Sequence, residues 1–144
     1  VGETAYAVST RGSIPWKGGR RGARVSSDLG RQAEDKAAEY LKTLGYKILE
    51  LRWVCPLGEL DIVAADGETV VFVEVRARSS SAYGSPAETV TRAKQAKVIK
   101  AALSYLKAKA HKPEAIRFDV IGFAGGAGEP EHIPNAFEAN VYTY

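Results

Sequence analysis

Cysteine and histidine are scarce in this chain of 144 residues, which has one cysteine and two histidines. The single cysteine, Cys55, excludes an intramolecular disulfide, and no Cys/His cluster suggests a zinc site. The sequence also shows neither the apolar run of a signal peptide nor a stretch near the ~20 apolar residues of a membrane helix. We therefore expect a cytoplasmic protein without a membrane segment.

Acidic residues are nearly missing from the start of the chain. Residues 1–27 contain five basic residues against Glu3, whereas the remainder contains fifteen basic and sixteen acidic residues. The first segment is also rich in Gly, Arg and Ser, so we predict that residues 1–27 form a disordered basic tail. This tail is either a weak contact for phosphates or a solvated leader. The length and the 45% hydrophobic content predict one domain over residues 28–144.

Apolar periodicity predicts two helices and four or five strands. The elements follow the order α-β-β-β-α-β-(β), which is typical of an α/β fold. The predicted elements are a helix from Ser27 or Asp28 to about Leu44, a strand over "YKILELRWV", hairpin strands over residues 59–65 and 69–77, a long helix from about Ala87 to Ala110, a strand over "AIRFDVIGF" and a weak edge strand within "HIPNAFEANVYTY".

The predicted hairpin collects carboxylates on one face. Side chains alternate along a strand, so Glu74 and Arg76 share a face. If Asp66 pairs with Thr69, Asp61 lies opposite Glu74, and the neighbouring register places Asp61 diagonal to Glu74. Two such carboxylates repel unless one is protonated or a cation lies between them. Two explanations remain open, an ion pair with Arg76 and a divalent metal ion such as magnesium.

The second predicted helix places Gln95 in the middle of its apolar face. A buried amide needs hydrogen-bond partners. If this helix packs on the sheet face that carries Asp61 and Glu74, the amide of Gln95 has such partners. Alternatively, Gln95 lies close enough to the helix start to remain hydrated.

Three other polar residues attract structural interpretations. His111 and His132 are far apart in sequence, and we expect both on the surface or in loops. Asp119 alternates off the apolar face of its strand. It is therefore expected to pair with Arg117 or with a loop residue rather than to bind a metal ion.

The carboxylate pattern resembles a known nuclease core. Asp61, followed on the next strand by Glu74-Val75-Arg76, looks like the PD-(D/E)XK motif. With "GRQAEDKAAEYLKTLGYKILELRW", "AKQAKVIKAALSYL" and "RFDVIGF", the chain resembles the bacterial YraN family over about residues 28–140. That family is similar to archaeal Holliday-junction resolvases. The resemblance implies a restriction-endonuclease-like three-layer core, with a mixed central sheet flanked by helices. It also implies hydrolysis of DNA dependent on Mg²⁺ or Mn²⁺, with branched DNA as a candidate substrate and a homodimer for resolvase-like cutting.

The same resemblance assigns roles to residues. Asp61, Glu74 and the backbone carbonyl of Val75 would bind the metal ion. Glu34 would be the acidic residue from the first helix, and Gln95 would occupy the polar helix position beside the core. Glu59, within "GELD", would support the metal shell.

Arg76 departs from the motif, which usually has lysine at this position. Arginine stabilises negative charge but is a poor proton acceptor because it keeps its proton at ordinary pH. Either the metal ion alone activates water, or a lysine such as Lys94 substitutes. The third alternative is a non-catalytic DNA-binding or scaffold protein that retains the fold.

Overall fold

Two helices and five strands make up the part of the chain that the structure describes. The computed structural model describes residues 28–78, 85–124 and 128–139, so the predicted tail lies outside the described residues. Within those ranges, no helix is long and apolar enough to cross a membrane. In chain order the elements are α1 (Asp28–Thr43), β1 (Lys47–Cys55), β2 (Gly58–Asp66), β3 (Thr69–Arg78), a short 3-10 turn (Pro86–Thr89), α2 (Arg92–Ala108), β4 (Ala115–Ala124) and β5 (Glu131–Phe137).

The strands form one mixed sheet in the order β1-β2-β3-β4-β5. Strands β3 and β4 pair in parallel, and the other neighbours pair antiparallel. The parallel pair needs a crossover connection, which the 3-10 turn and α2 provide. Residues 70–73 of the central strand β3 are all buried, as expected for a run of β-branched and aromatic side chains covered on both faces. The predicted α/β layout with a mixed sheet is confirmed.

Each face of the sheet is covered by one helix. Helix α1 packs small side chains, among them Ala33 and Ala37, against Ile62, Val71 and other residues of one face. We call this the α1 face. Helix α2 packs on the opposite α2 face, where its apolar residues meet Leu60, Phe72 and neighbouring side chains. The result is the expected arrangement of three layers.

The long helix predicted from Ala87 is wrong at its start. Residues 86–89 form a separate 3-10 turn, and α2 begins only at Arg92. Thr91 is extended, and its hydroxyl accepts a hydrogen bond from the Lys94 amide at 3.1 Å. A threonine that caps an amide in this way favours a helix start over a helix interior. Thr91 is therefore an exposed cap and does not belong to the buried face of the helix.

The last edge strand forms despite Pro134. Strand β5 pairs with β4 through an irregular register between Phe118 and Val120. Asn135 in this region has a φ of 53°. Proline is tolerated at such a place because an edge strand with a bulge leaves backbone groups outside the ladder.

Candidate active site

The β2–β3 hairpin brings Asp61 beside Glu74. Asp66 pairs with Thr69, which is the register that places Asp61 opposite Glu74, and the ladder continues to Ile62 and Val73. At the next position along β2, the contact with β3 is a hydrogen bond to the Asp61 side chain. Its Oδ2 atom accepts the backbone N–H of Val75 at 2.9 Å. This bond fixes the carboxylate of Asp61 at the end of the ladder, next to the side chain of Glu74.

Two cations approach Glu74, which is only 4% exposed. Lys94 Nζ lies 3.7 Å from Glu74 Oε2, and Arg76 Nη1 lies 3.9 Å from the same oxygen. Both distances exceed hydrogen-bond length, so these are loose ion pairs. Within the described residues, Glu74 therefore has two cations close by, each beyond ordinary hydrogen-bond length.

The two carboxyls hold protons more tightly than ordinary ones. Burial raises the pKa of Asp61 well above its usual range, and the neighbouring charge of Glu74 raises it further, while the Val75 N–H opposes the shift. Burial also raises the pKa of Glu74, against the lowering effects of Lys94 and Arg76. The nearby cations thus do not offset the cost of keeping both groups charged.

Glu34 from α1 approaches the same carboxylates. Its charge contributes to the raised pKa of both Asp61 and Glu74. The Glu34 carboxylate accepts a hydrogen bond from Arg52 Nη1 at 2.8 Å. The structure therefore brings together the three acidic residues that the resemblance selected, with Glu34 held by a cation.

Sequence reasoning missed Arg52. It lies within β1 with a φ of 52°, an uncommon conformation for a residue with a side chain. Its strand neighbours Leu51 and Trp53 pair with Ile62 and Leu60, so Arg52 stands across from Asp61. Regular alternation in "LELRW" gave no signal for this kink.

Arg76 and Gln95 both reach the segment before α2. Arg76 Nη2 donates to the carbonyl of Thr89 at 3.2 Å, and its buried Nε atom has no hydrogen-bond partner among the described residues. Gln95 Nε2 donates to the carbonyl of Val90 at 3.1 Å. These side chains anchor the connection that delivers Lys94 to Glu74.

The donor set suits a hard divalent cation. Among the described residues, no group of three or more His, Cys, Asp and Glu side chains has the geometry of a metal site. Magnesium, however, is commonly held by one or two carboxylates with several waters. Asp61, Glu74 and the Val75 carbonyl have oxygen atoms of that kind, and a cation between the two carboxylates would lessen their repulsion. Glu59 is exposed on β2.

A second polar cluster lies around Asp119, which is fully buried. Arg117 donates to both carboxylate oxygens at 2.9 and 3.0 Å, and the amide of Asn135 donates to Oδ1 at 2.9 Å. His132 Nε2 lies 2.8 Å from Oδ2. Although burial alone would raise it, these partners lower the pKa of Asp119. The predicted pairing of Asp119 with Arg117 is confirmed.

His132 was predicted to lie on the surface or in a loop, and this was wrong. The His132 side chain is only 7% exposed, because β5 folds it onto β4 and toward α1. There its Nδ1 lies 3.2 Å from the hydroxyl of Tyr40. His111 is half-buried in the loop after α2, as expected for its position.

The fold and the carboxylate pair define an α/β protein with a mixed sheet between two helices and an acidic site on its central hairpin. Comparison with known proteins adds the family. The family model described as "Uncharacterised protein family UPF0102" matches residues 33–123. The chain belongs to this family, which is the YraN family that the motifs indicated.

Similar proteins cover most of the described domain. A UPF0102 protein of Geobacter metallireducens is 48% identical over 115 residues, covering 78% of this chain and 94% of the relative. Those of Desulfosudis oleivorans and Myxococcus xanthus are 45% and 40% identical over 112 and 116 residues. These alignments cover 78% and 79% of this chain, and 91% and 92% of the two relatives.

Proposed function

We propose that this protein is a DNA endonuclease that depends on Mg²⁺ or Mn²⁺ and acts in the cytoplasm. The observation that carries the proposal is the Asp61–Glu74 pair. Burial raises the pKa of both carboxyls, and the charge of Glu74 raises the pKa of Asp61 further, although Lys94 and Arg76 are nearby. A bound divalent cation would relieve that repulsion, and phosphodiester hydrolysis is a reaction that such a cation assists.

The residues of the site have two kinds of proposed role, since some would bind the metal ion and others supply charge. Asp61, Glu74 and the Val75 carbonyl would hold the metal ion, which when bound supplies Lewis acidity and a nucleophilic water. The Val75 N–H keeps the Asp61 carboxylate in place through its 2.9 Å bond. Glu34, tied to Arg52, adds negative charge at the rim of the site. Lys94 supplies positive charge for the phosphate as negative charge develops in the transition state.

Lys94 fits this role better than Arg76. Arg76 is anchored to the Thr89 carbonyl at 3.2 Å, and its guanidinium lies 3.9 Å from Glu74. Lys94 Nζ is slightly closer to Glu74 at 3.7 Å and ends a flexible side chain on α2. We therefore propose that α2 supplies the cation that the usual motif carries on its second strand, and that Arg76 supports the connection before α2.

A second function is favoured by the same two ion pairs. If Lys94 and Arg76 neutralise Glu74 and close the site, the protein is a non-catalytic DNA-binding or scaffold protein with a retained fold. In that case the pair Asp61–Glu74 does not take up a divalent cation. Metal binding therefore separates the two functions.

Cleavage of a DNA panel tests the proposal. Duplex, single-stranded, flapped and four-way branched DNA are incubated with Mg²⁺ or Mn²⁺. We expect cleavage by the wild type and loss of cleavage in Asp61→Asn and Glu74→Gln. Branched DNA is the proposed preferred substrate, with cutting by a homodimer because two symmetric strands must be cut.

Three variants test which residue supplies the cation. Lys94→Met should lower kcat strongly, Lys94→Arg should retain part of it, and Arg76→Lys should cleave as fast as the wild type or faster. Inactivity of the wild type on every substrate would favour the non-catalytic function. Cleavage that survives both Asp61→Asn and Glu74→Gln would refute the site.

A further inference from the structure

Basic residues are unevenly distributed between the two helices. Helix α2 has the sequence RAKQAKVIKAALSYLKA and contains no acidic residue. Helix α1, DLGRQAEDKAAEYLKT, mixes both signs, and its Lys42 pairs with Glu39 at 3.1 Å. Of the two helices, only α2 therefore has an excess of positive charge.

The lysines of α2 fall on one side of the helix. Lys94, Lys97, Lys100 and Lys107 follow spacings of three or seven residues, which place side chains along a common face. Lys97, Lys100 and Lys107 are exposed, whereas the opposite side of the helix contributes Val98, Ile99 and Ala102 to the core. At 1.5 Å per residue, the three exposed lysines span about 15 Å of the helix.

Lys97, Lys100 and Lys107 differ from Lys94 and Lys109 in their ion pairing. Lys94 reaches Glu74, and Lys109, beyond the end of the helix, lies 3.1 Å from Glu50. No described residue forms an ion pair with Lys97, Lys100 or Lys107. Three free cations thus lead away from the Asp61–Glu74 site. We call these three residues the α2 lysine row.

We propose that the α2 lysine row binds the phosphate backbone of DNA and guides one arm of the substrate to the Asp61–Glu74 site. The proposal rests on the function proposed above, since it names the path of that substrate. Free lysines in a row repel one another, and a polyanion relieves this repulsion while its condensed counterions are released. The row starts three residues after Lys94, spans about 15 Å of helix and matches the axial length of about four base pairs, at about 3.4 Å per phosphate on each strand.

Salt dependence of binding tests the row without catalysis. Anisotropy of a labelled duplex and a four-way junction is measured in EDTA across a range of salt concentrations. Each phosphate contact contributes about 0.9 to the slope of log affinity against log salt. Lys97→Gln with Lys100→Gln should lower this slope by about 2 and, at about 50 mM salt, weaken binding by about tenfold per lysine. Lys107→Gln should lower the slope by about 1 more.

A charge-matched pair serves as the control. Lys42→Gln with Lys47→Gln removes the same charge from α1 and the start of β1, and it should leave the slope unchanged. An equal decrease of the salt slope in both pairs of variants would mean a net-charge effect and would overturn the proposal. An unchanged slope in both pairs would also overturn it. An unchanged slope for Lys107→Gln would overturn the stated length of the row.

Different results would refute the proposed DNA contact of the α2 lysine row and the proposed nuclease function. With Mn²⁺ present, variants of the row should raise KM and leave kcat within about twofold of the wild type, because binding contacts of this kind act on both ground state and transition state. A wild type that binds DNA through the row but never cleaves it would overturn the nuclease and retain the row. Cleavage with an unchanged KM in the variants would overturn the row alone.

Discussion

Replacing Asp61 by asparagine should stabilise the metal-free protein at neutral and alkaline pH. Two unit charges about 6 Å apart repel by about 3 kcal/mol at an effective dielectric constant of about 20. Lys94 offsets part of this repulsion. The amide oxygen of asparagine can still accept the Val75 N–H that Asp61 accepts. We therefore expect a gain of about 2 kcal/mol in the free energy of unfolding, or a Tm about 4–8 °C higher.

This stabilisation should depend on pH in a defined direction. Because the pKa of Asp61 is raised in the folded state, the native protein binds more protons than the unfolded chain between about pH 4 and the raised pKa. Wild-type stability therefore falls as pH rises through that interval. Asp61→Asn lacks this loss, so its advantage should be absent near pH 4 and grow as pH increases.

Thermal and urea unfolding in EDTA at several pH values measure the effect. Glu59→Gln is the matched control, because Glu59 is an exposed carboxylate on the same strand, and its stability should follow the wild type. A uniform destabilisation by Asp61→Asn at every pH would refute the argument from charge repulsion. It would instead show that asparagine does not replace the hydrogen bond that Asp61 accepts from Val75.

Three further changes probe the parts that support the site. Asp119→Asn breaks a buried pair with Arg117 and should cost about 3–5 kcal/mol of unfolding free energy. Since the pKa of Asp119 is lowered, this advantage of the wild type should be lost as pH falls through that pKa. An unfolding free energy in urea equal to that of the wild type at neutral pH would contradict this. Gly122→Ala places a Cβ atom 2.3 Å from the Pro86 ring, so it should cost about 1–3 kcal/mol, and an unchanged Tm would show that the 3-10 turn moves freely. Thr91→Ala should cost about 1 kcal/mol through loss of the cap, whereas Thr91→Ser, which keeps the hydroxyl, should melt close to the wild type.

Strand register was predictable because several local signals agreed. Alternation placed Asp61 and Glu74 on one face, and the Asp66-Gly67 turn allowed the pairing of Asp66 with Thr69 that the structure has. A one-residue slip would have moved every side chain to the other face. The carboxylate pair could therefore be found from a short stretch of sequence.

Other parts of the site depend on contacts that sequence spacing does not encode. The break before α2 arises because Thr91 caps the Lys94 amide, a contact that residue spacing did not distinguish from a helix interior. The positive φ of Arg52 and its bond to Glu34 join β1 to α1, which lie apart in the sequence. His132 became buried because the edge strand β5 turns its ring toward Asp119.

Calorimetric titration of Mn²⁺ tests most directly whether Asp61 and Glu74 form a divalent metal site. We expect the wild type to bind one Mn²⁺ and to release protons, because a metal ion displaces protons from carboxyls with raised pKa values; the heat should therefore vary with the ionisation enthalpy of the buffer. Asp61→Asn and Glu74→Gln should each weaken binding by at least about tenfold, which corresponds to about 1.4 kcal/mol, while Glu68→Gln, at the exposed turn of the same hairpin, should bind as the wild type does. A wild type that binds no Mn²⁺, or variants that bind it with unchanged affinity, would contradict the account.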